Sequence, residues 1–300
     1  ADNIVATDLE HHSNYLPWKE LTKRSSADFR LAESNETGAL DEASFRGVLD
    51  EKTAIVALTA VSNVTGSIHD IPALVRLIRA AAPQALVVVD AAQMAAHLPM
   101  DVLAWDADMV AFSGHKMYGP TGIGVLFGKK ALLETLPPAF FGGGMVLDAC
   151  ASTTEYRESP ARFEAGTPDI GAIFGLAAAI RFIQKIGWEA IREHDQQLQA
   201  YALTELRKAF GNHLRIIGSE EPSQHAGIIS FAFADLHPHD IAQLLGEKQI
   251  AVRAGEHCAA PFHRAKRLAA TTRLSFGIYN ETADIDALIA ELKEAIRLLS

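Results

Sequence analysis

The apolar run Leu86-Val87-Val88-Val89 restricts the fold of this chain more than any other stretch of it. Apolar residues without a polar interruption predict a strand that is buried on both faces, as the central strands of parallel sheets are. Similar runs lie at 54–59 and 109–112, and helical stretches separate the three runs. This alternation is typical of a mostly parallel sheet that helices cover on both faces. The sequence therefore predicts an α/β protein whose large domain contains such a sheet.

Each of these three predicted strands is followed by a polar residue that is suited to chemistry. Asn63 follows the first strand, Asp90 the second and Lys116 the third. The carboxyl ends of parallel strands meet at one edge of a sheet, and ligands of α/β proteins bind there. We therefore expect these three side chains to lie in one site. Between the first two strands, Asp70 is predicted to cap a helix that has Pro72 in its first turn.

The second half of the chain has a different pattern from the first. After three glycines, the stretch 148–159 is rich in Ser, Thr and Glu and is predicted to be a loop that leaves the first domain. We predict a large domain over residues 1–155 and a smaller α+β domain over residues 156–300. Periodicity in the smaller domain predicts helices from 170 to 210 with a break at 186–187, at 240–246 and at 282–299, and strands at 227–233, 250–253 and 273–276.

Composition and charge exclude several classes of protein. The formal net charge of -10 leaves no basic surface that would indicate binding to nucleic acid or to an anionic membrane. No apolar run approaches the roughly 20 residues that span a bilayer, and the first residues lack the pattern of a signal peptide. Two cysteines are too few for a disulfide framework and favour a reducing compartment. We therefore expect a cytoplasmic protein with neither a nucleic-acid nor a membrane partner.

Lys116 and Asp90 are more informative together than apart. A lysine just past a strand end is a candidate covalent catalyst, although a surface lysine in a glycine-rich loop is the alternative. A carboxylate after three valines needs a cationic or hydrogen-bonding partner, unless it caps a helix that begins at 91–94. Together, a Schiff-base lysine and a carboxylate paired with a pyridinium nitrogen would hold a pyridoxal ring by both ends. The glycines at 119–128 lack dinucleotide-binding spacing, so a nicotinamide cofactor is not expected.

Cys258, Arg273 and the pair His11-His12 are the remaining candidates for a site. A cation near a thiol raises its thiolate fraction, and Cys258 has Arg253 close in sequence, although a half-buried small side chain is the alternative. Arg273 enters a predicted strand, where an arginine is unusual unless it binds a carboxylate through two hydrogen bonds. The two histidines fit a polar loop, but an imidazole can also stack on a flat cofactor ring. Metal-ligand spacing is absent around them, so no metal is expected.

Six motifs follow one another along the chain. They are Glu10-His11-His12-Ser13-Asn14, Val61-Ser62-Asn63-Val64-Thr65-Gly66, Asp90-Ala91-Ala92-Gln93, Phe112-Ser113-Gly114-His115-Lys116, Phe163-Glu164-Ala165-Gly166-Thr167-Pro168 and Arg253-Ala254-Gly255-Glu256-His257-Cys258. In this order they resemble the motifs of the cysteine desulfurase and selenocysteine lyase family, in the class V branch of pyridoxal-phosphate enzymes of fold type I. The resemblance covers essentially the whole chain. The short cysteine loop is similar to that of the second group of the family, which passes sulfur to a dedicated acceptor protein.

The resemblance implies pyridoxal 5'-phosphate as the cofactor and a role for each candidate residue. Lys116 would hold the cofactor covalently and move the Cα proton of the substrate, while Asp90 would keep the pyridine nitrogen protonated. Cys258 would attack the substrate sulfur, which leaves a persulfide on the enzyme and releases alanine. By the same resemblance, Gln93 would contact the phenolic oxygen of the cofactor and His11 the face of its ring. Ser113, His115 and a partner subunit's Thr167 would contact the phosphate. Asn63 would contact cofactor and substrate, Arg273 would bind the substrate carboxylate, and Arg162 and Arg253 would have supporting positions.

The function that the resemblance implies is removal of sulfur from L-cysteine by a homodimer, with transfer of the sulfur to an acceptor protein. L-Selenocysteine is the alternative substrate, and another class V aminotransferase or lyase is the alternative activity. Members of the family carry roughly a hundred residues before the point where this chain begins, including a Gly-Thr-Thr segment whose backbone N–H groups bind the cofactor phosphate. An inactive, truncated homologue that acts as a scaffold is therefore a further alternative.

Overall fold

The main sheet of the molecule has six strands in a computed structural model that describes residues 2–299. The strands are β1 (Asn3–Thr7), β2 (Asp28–Ala32), β3 (Thr53–Thr59), β4 (Leu86–Asp90), β5 (Met109–Ser113) and β6 (Gly124–Gly128). Their spatial order is β2-β1-β3-β4-β5-β6, in which the first five are parallel and β6 runs antiparallel to β5. The prediction of a mostly parallel sheet is confirmed, and β4, the strand predicted to be central, has β3 and β5 as its neighbours.

Helices cover both faces of this sheet. Alternate strand residues point to opposite sides, so apolar strands need packing partners on both faces. The helices of this region are α1 (His12–Arg24), α2 (Glu42–Val48), α3 (Ile71–Ala81), α4 (Val102–Trp105) and α5 (Lys130–Leu133). Val56 and Leu58 of β3 belong to the cluster that α2 and α3 complete, whereas Ala57 between them packs on the α1 side, with Tyr15. The predicted cap of α3 is confirmed, since the side chain of Asp70 accepts a hydrogen bond from the N–H of Ala73 at 2.9 Å.

A second, antiparallel sheet lies in the C-terminal part of the chain. Its strands are β9 (Leu214–Ile217), β10 (Ile228–Phe233), β11 (Arg253–Gly255) and β12 (Thr271–Ser275), in the order β11-β12-β10-β9. The helices of this part are α6 (Ile170–Ile186), α7 (Trp188–Phe210), α8 (Pro238–Glu247), α9 (Ala260–Ala265) and α10 (Thr282–Leu299). Helices α7, α8 and α10 bury a hydrophobic core against the sheet. The predicted helix break and the predicted closing helix are confirmed, while the domain boundary at residue 155 stays a prediction.

Two local predictions are wrong. Residues 148–159 are not a plain loop, because β7 (Val146–Ala149) and β8 (Thr154–Tyr156) pair as an antiparallel hairpin. The strand predicted at 250–253 begins only at Arg253, since the residues before it approach the sheet without pairing in it. Among residues 2–299, no single helix is long and apolar enough to cross a membrane. The helices at 170–186 and 188–213, bent by 78° relative to each other, reach that length and apolarity only as a pair.

Candidate active site

A cavity of about 420 Å³ opens at the carboxyl ends of β4 and β5. This size is typical of a small-molecule site, and the position is where α/β sheets bind ligands. The three side chains that were expected to meet there, from Asn63, Asp90 and Lys116, all line it. The other lining residues include most of the predicted site: His11, Gln93, Ser113, His115, Arg253 and Arg273, together with Ser13, Asn14, Val88, Val89, Ala92, Ala111 and Phe112.

Lys116 lies in a short 3-10 turn that follows β5. The turn requires glycine at position 114, because a Cβ atom there would approach the Cγ2 atom of Ile123 to 2.9 Å. Burial is the main cause of a lowered pKa of Lys116; Arg273 and Arg253 lower it further, and Asp90 opposes them. A lysine with a lowered pKa has a larger fraction of unprotonated amine, the form that attacks carbonyl carbons and accepts protons.

Asp90 ends β4 and uses one carboxylate oxygen to hold the following turn. Its Oδ1 atom accepts a hydrogen bond from the N–H of Ala92 at 2.8 Å, and a 3-10 turn at 94–96 follows. The side chain therefore fulfils part of the capping role that was the alternative interpretation, and it also lines the cavity. These two roles are compatible because a carboxylate has two oxygens and about four acceptor positions.

His11 caps helix α1 at the mouth of the cavity. Its Nδ1 atom accepts a hydrogen bond from the N–H of Ser13 at 3.1 Å. Burial lowers the pKa of His11 most, and the neighbouring Lys116 lowers it further. Because the N–H of Ser13 can only donate, the capping nitrogen is unprotonated in this arrangement. The ring is thus fixed as a neutral imidazole beside the lysine.

Glu10, which precedes this cap, is a buried carboxyl group that fixes the start of α1. Its Oε1 atom accepts from the N–H of Thr59 at 2.9 Å and from the hydroxyl of Thr7 at 2.7 Å. Its Oε2 atom accepts from the side-chain amide of Asn14 at 2.6 Å. Burial raises the pKa of Glu10 to about 8. In the sequence, Glu10 is recognisable only as part of a motif, since its partner in β3, Thr59, lies 49 positions away.

Cys258 lies near the cavity on a loop from the second sheet. The Nη2 atom of Arg253 donates to its Sγ atom at 3.5 Å, which places a guanidinium beside the sulfur. Arg273 is largely buried, and its Nη1 atom donates to the carbonyl of Asn63 at 2.8 Å, while its Nε atom has no partner. Burial lowers the pKa of Arg273 to about 10, with Arg253 contributing. Both arginines line the cavity from the C-terminal part of the chain, whereas Cys258 lies beside Arg253 and is not itself among the lining residues.

The cysteine loop, residues 256–259 between β11 and α9, has an unusual backbone. His257 and Cys258 have φ angles of 52° and 57°, in the left-handed region that residues with side chains seldom occupy. His257 is buried, and its Nε2 atom is 2.8 Å from the hydroxyl of Thr271, which is 3.2 Å from Nε2 of His263. Burial lowers the pKa of His257 to about 3. A conformation of this kind persists only where the surroundings hold it.

Asn63 holds this loop from the side of the main sheet. Its Nδ2 atom donates to the carbonyl of His257 at 2.6 Å, although 194 positions separate the two residues. The side-chain amide nitrogen is therefore engaged with the protein itself. The contacts of Asn63 to cofactor and substrate stay predictions.

Two of the predicted site residues lie away from the cavity. Thr167 is exposed in the loop before α6 and does not line the cavity, and its contact with a partner's phosphate stays a prediction. Arg162 pairs with Glu134, whose carbonyl and carboxylate lie 3.3 and 3.7 Å from its Nη1 atom. The structure therefore does not bring Arg162 into the site.

Several known proteins are similar to this chain in sequence and in fold. A family model described as Aminotransferase class-V matches residues 1–288. A probable cysteine desulfurase of Streptomyces coelicolor is 44% identical over 290 residues, which are 97% of this chain and 68% of that protein. The cysteine desulfurase CsdA of Escherichia coli has a TM-score of 0.93 at 34% identity, with 100% of this chain and 73% of that chain covered. The apo cysteine desulfurase of Thermococcus onnurineus NA1 has a TM-score of 0.93 at 36% identity, with 100% and 74% covered.

Proposed function

The chain belongs to the class V aminotransferase family, and we propose that within this family it is a pyridoxal-phosphate-dependent cysteine desulfurase. The observation that carries the proposal is the convergence of Lys116, Asp90 and Arg273 on one cavity, with the sulfur of Cys258 beside Arg253 at its edge. A transaminase needs the lysine, the carboxylate and the arginine, but it has no use for a thiol beside them. The cysteine therefore favours sulfur chemistry over amino transfer.

The residues of the cavity fit the family's cofactor. Asp90 offers a carboxylate from the end of β4, Lys116 offers an amine from the end of β5, and Ser113 and His115 offer polar side chains for a phosphate. Gln93 and His11 would contact the ring from its edge and its face. When bound, pyridoxal phosphate supplies an electron sink for the pair of electrons released at the substrate carbon atoms.

Arg273 and Lys116 would orient and activate the amino-acid substrate. The Nε atom of Arg273 is buried without a partner, and a guanidinium binds a carboxylate through two parallel hydrogen bonds. Lys116, whose pKa burial lowers, would accept the Cα proton and return a proton to Cβ. Arg273 would thus hold the substrate by its carboxylate, while Lys116 would move protons at the substrate carbon atoms.

Cys258 would carry the sulfur transfer itself. Its thiolate attacks the substrate sulfur, so that an S–S bond forms while the Cβ–S bond breaks and its electron pair passes to Cβ. Cβ takes up one proton and Cα regains the proton that it lost, which completes L-alanine, and the enzyme keeps a persulfide on Cys258. The guanidinium of Arg253, whose Nη2 atom donates to Sγ at 3.5 Å, would orient the sulfur for this step.

A sulfur acceptor and a second copy of the chain complete the proposal. A persulfide must be discharged before the next turnover, and an acceptor protein with a thiol is the partner that does so. A homodimer is supported by exposed apolar side chains on β6 and on α6, among them Leu126 at 60% and Phe174 at 70% exposure. Sedimentation equilibrium tests the dimer, and Phe174→Glu is expected to yield monomers.

The decisive experiment measures alanine and sulfide released from L-cysteine, in the presence of a reductant, after incubation with pyridoxal phosphate. Lys116→Ala and Cys258→Ala are each expected to abolish release, whereas Cys150→Ala, which removes the other thiol, is expected to leave it intact. Full desulfurase turnover by Cys258→Ala would refute the mechanism. A preference for L-selenocysteine that does not depend on Cys258 would identify a selenocysteine lyase. Absence of a cofactor absorption band in the wild type would indicate an inactive homologue.

A further inference from the structure

His12 makes two contacts with the cysteine loop that the proposed chemistry does not account for. Its backbone N–H donates to the carbonyl of Cys258 at 2.7 Å. Its ring Nε2 atom accepts from the N–H of Ala260 at 3.1 Å, across 248 positions of sequence. One residue at the N-terminus of α1 thus contacts two consecutive peptide groups, Cys258-Ala259 through the carbonyl and Ala259-Ala260 through the N–H.

The ring contact supplies a hydrogen bond that the loop lacks elsewhere. Ala260 is the first residue of α9, and its N-cap residue, Ala259, has no side chain that could cap the helix. First-turn N–H groups of a helix need acceptors from outside the helix. Because the N–H of Ala260 can only donate, Nε2 of His12 is the unprotonated nitrogen of the ring.

The backbone of the loop explains why such a grip is needed. The left-handed conformations of His257 and Cys258 are each costly for residues with a Cβ atom. The C-terminal part holds His257 through Thr271, and the main-sheet part holds the carbonyl of His257 through Asn63. Cys258 itself is held at its carbonyl only by His12, among the contacts of residues 2–299.

We propose that His12 is a positioning residue that fixes the sulfur of Cys258 relative to the cavity. The inference rests on the proposed function for its catalytic consequence, but the hold on the loop is a property of the chain alone. Loss of the imidazole frees the N–H of Ala260 and loosens the Cys258 peptide. The sulfur then spends less time in line with the substrate bond that it attacks, while the carboxylate contact of Arg273 is unchanged.

The test uses three variants of the full chain. His12→Leu removes the acceptor, and His12→Gln restores an amide oxygen at about the reach of Nε2. His213→Leu, which removes an exposed histidine far from the loop in sequence, is the matched control. Should His12→Leu not fold, His12→Asn replaces it, because its shorter amide stops short of Ala260.

Amide hydrogen exchange, measured without cofactor or substrate, tests directly whether His12 holds the cysteine loop. The amide of Ala260 is expected to exchange about tenfold faster in His12→Leu, as for the loss of one hydrogen bond. His12→Gln is expected to restore most of the protection. With cofactor, kcat for alanine release is expected to fall at least tenfold in His12→Leu, with KM for L-cysteine within twofold of wild type and kcat largely recovered in His12→Gln.

Each outcome decides a separate claim. Unchanged exchange at Ala260 in His12→Leu would overturn the proposal. Faster exchange with unchanged kcat in an active enzyme would also overturn it, because the hold would then have no effect on the sulfur. A wild type that releases no alanine would refute the proposed function instead, and the exchange experiment would still decide whether His12 holds the loop.

Discussion

His97 and Asp195 form a buried pair whose removal should have a large effect on stability. The Nδ1 atom of His97 lies 2.6 Å from Oδ2 of Asp195, and the two residues are 8% and 1% exposed. The pair joins the turn that follows Gln93 to helix α7, so it connects the wall of the cavity to the C-terminal part. The second oxygen of Asp195, Oδ1, is buried without a partner.

His97→Leu would leave the carboxyl group of Asp195 buried with neither oxygen paired. Leaving a buried polar group without its hydrogen-bond partner costs about 1–3 kcal/mol, because the group has lost both its partner and its solvation. The double variant His97→Leu/Asp195→Leu removes the carboxyl group as well and is expected to lie within about 1 kcal/mol of wild type, since an apolar replacement of both partners is often nearly neutral. The two substitutions should therefore be strongly non-additive.

Urea unfolding followed by far-UV circular dichroism measures these differences, provided that the slope with urea is unchanged. His213→Leu, at an exposed histidine, is expected to stay within about 0.5 kcal/mol of wild type. If His97→Leu costs less than about 1 kcal/mol, or if the double variant loses the sum of the single losses, the reasoning about an unpaired buried carboxyl group is wrong.

Three further predictions concern other titratable or charged groups. Folding raises the pKa of Glu10 from 4.5 to about 8. Its contribution to the free energy of unfolding is therefore fully present below pH 4.5 and is lost as the pH rises through about 8. The loss is at most about 5 kcal/mol, and Glu10→Gln should flatten the dependence of unfolding free energy on pH in this window. Hydrogen bonds from Ser152 and Thr153 lower the pKa of the exposed Cys150 to about 6, so its alkylation by iodoacetamide should have a midpoint near that pH. Ser152→Ala with Thr153→Val, which removes both side-chain hydrogen bonds, should move the midpoint to a higher pH. Arg273→Lys should raise KM for L-cysteine at least about tenfold at nearly constant cofactor absorbance, because an ammonium cannot reproduce the two-point contact with a carboxylate; an unchanged KM would place the carboxylate elsewhere.

The parts of the fold that follow from local pattern were predictable. The break between α6 and α7 falls at Gly187, whose φ of 90° favours glycine, and glycine is visible in a sequence as a helix end. The hairpin of β7 and β8 was missed because its strands are short and mostly exposed, so no alternation of apolar and polar residues marks them. Ile250 and Val252 pack on the hydrophobic core before the chain pairs in β11, which gave the appearance of an earlier strand.

The candidate site, like the fold, has one part that the sequence predicted and another that it did not. Strand ends and motif order located Asp90 and Lys116, because both follow directly from buried runs of sequence. The contacts of Asn63 and His12 with the cysteine loop join residues about 200 or more positions apart. No local periodicity carries such a contact, so it becomes visible only when the two sheets are in place.

The cysteine loop is held through main-chain atoms at His257, Cys258 and Ala260. Main-chain atoms are the same in every residue type except proline, so these contacts make no demand on an exposed side chain such as that of Glu256. A substitution of Glu256 is therefore expected to leave the sulfur of Cys258 in place. The exposed surface two residues before this cysteine can thus change its chemistry without changing the geometry of the loop.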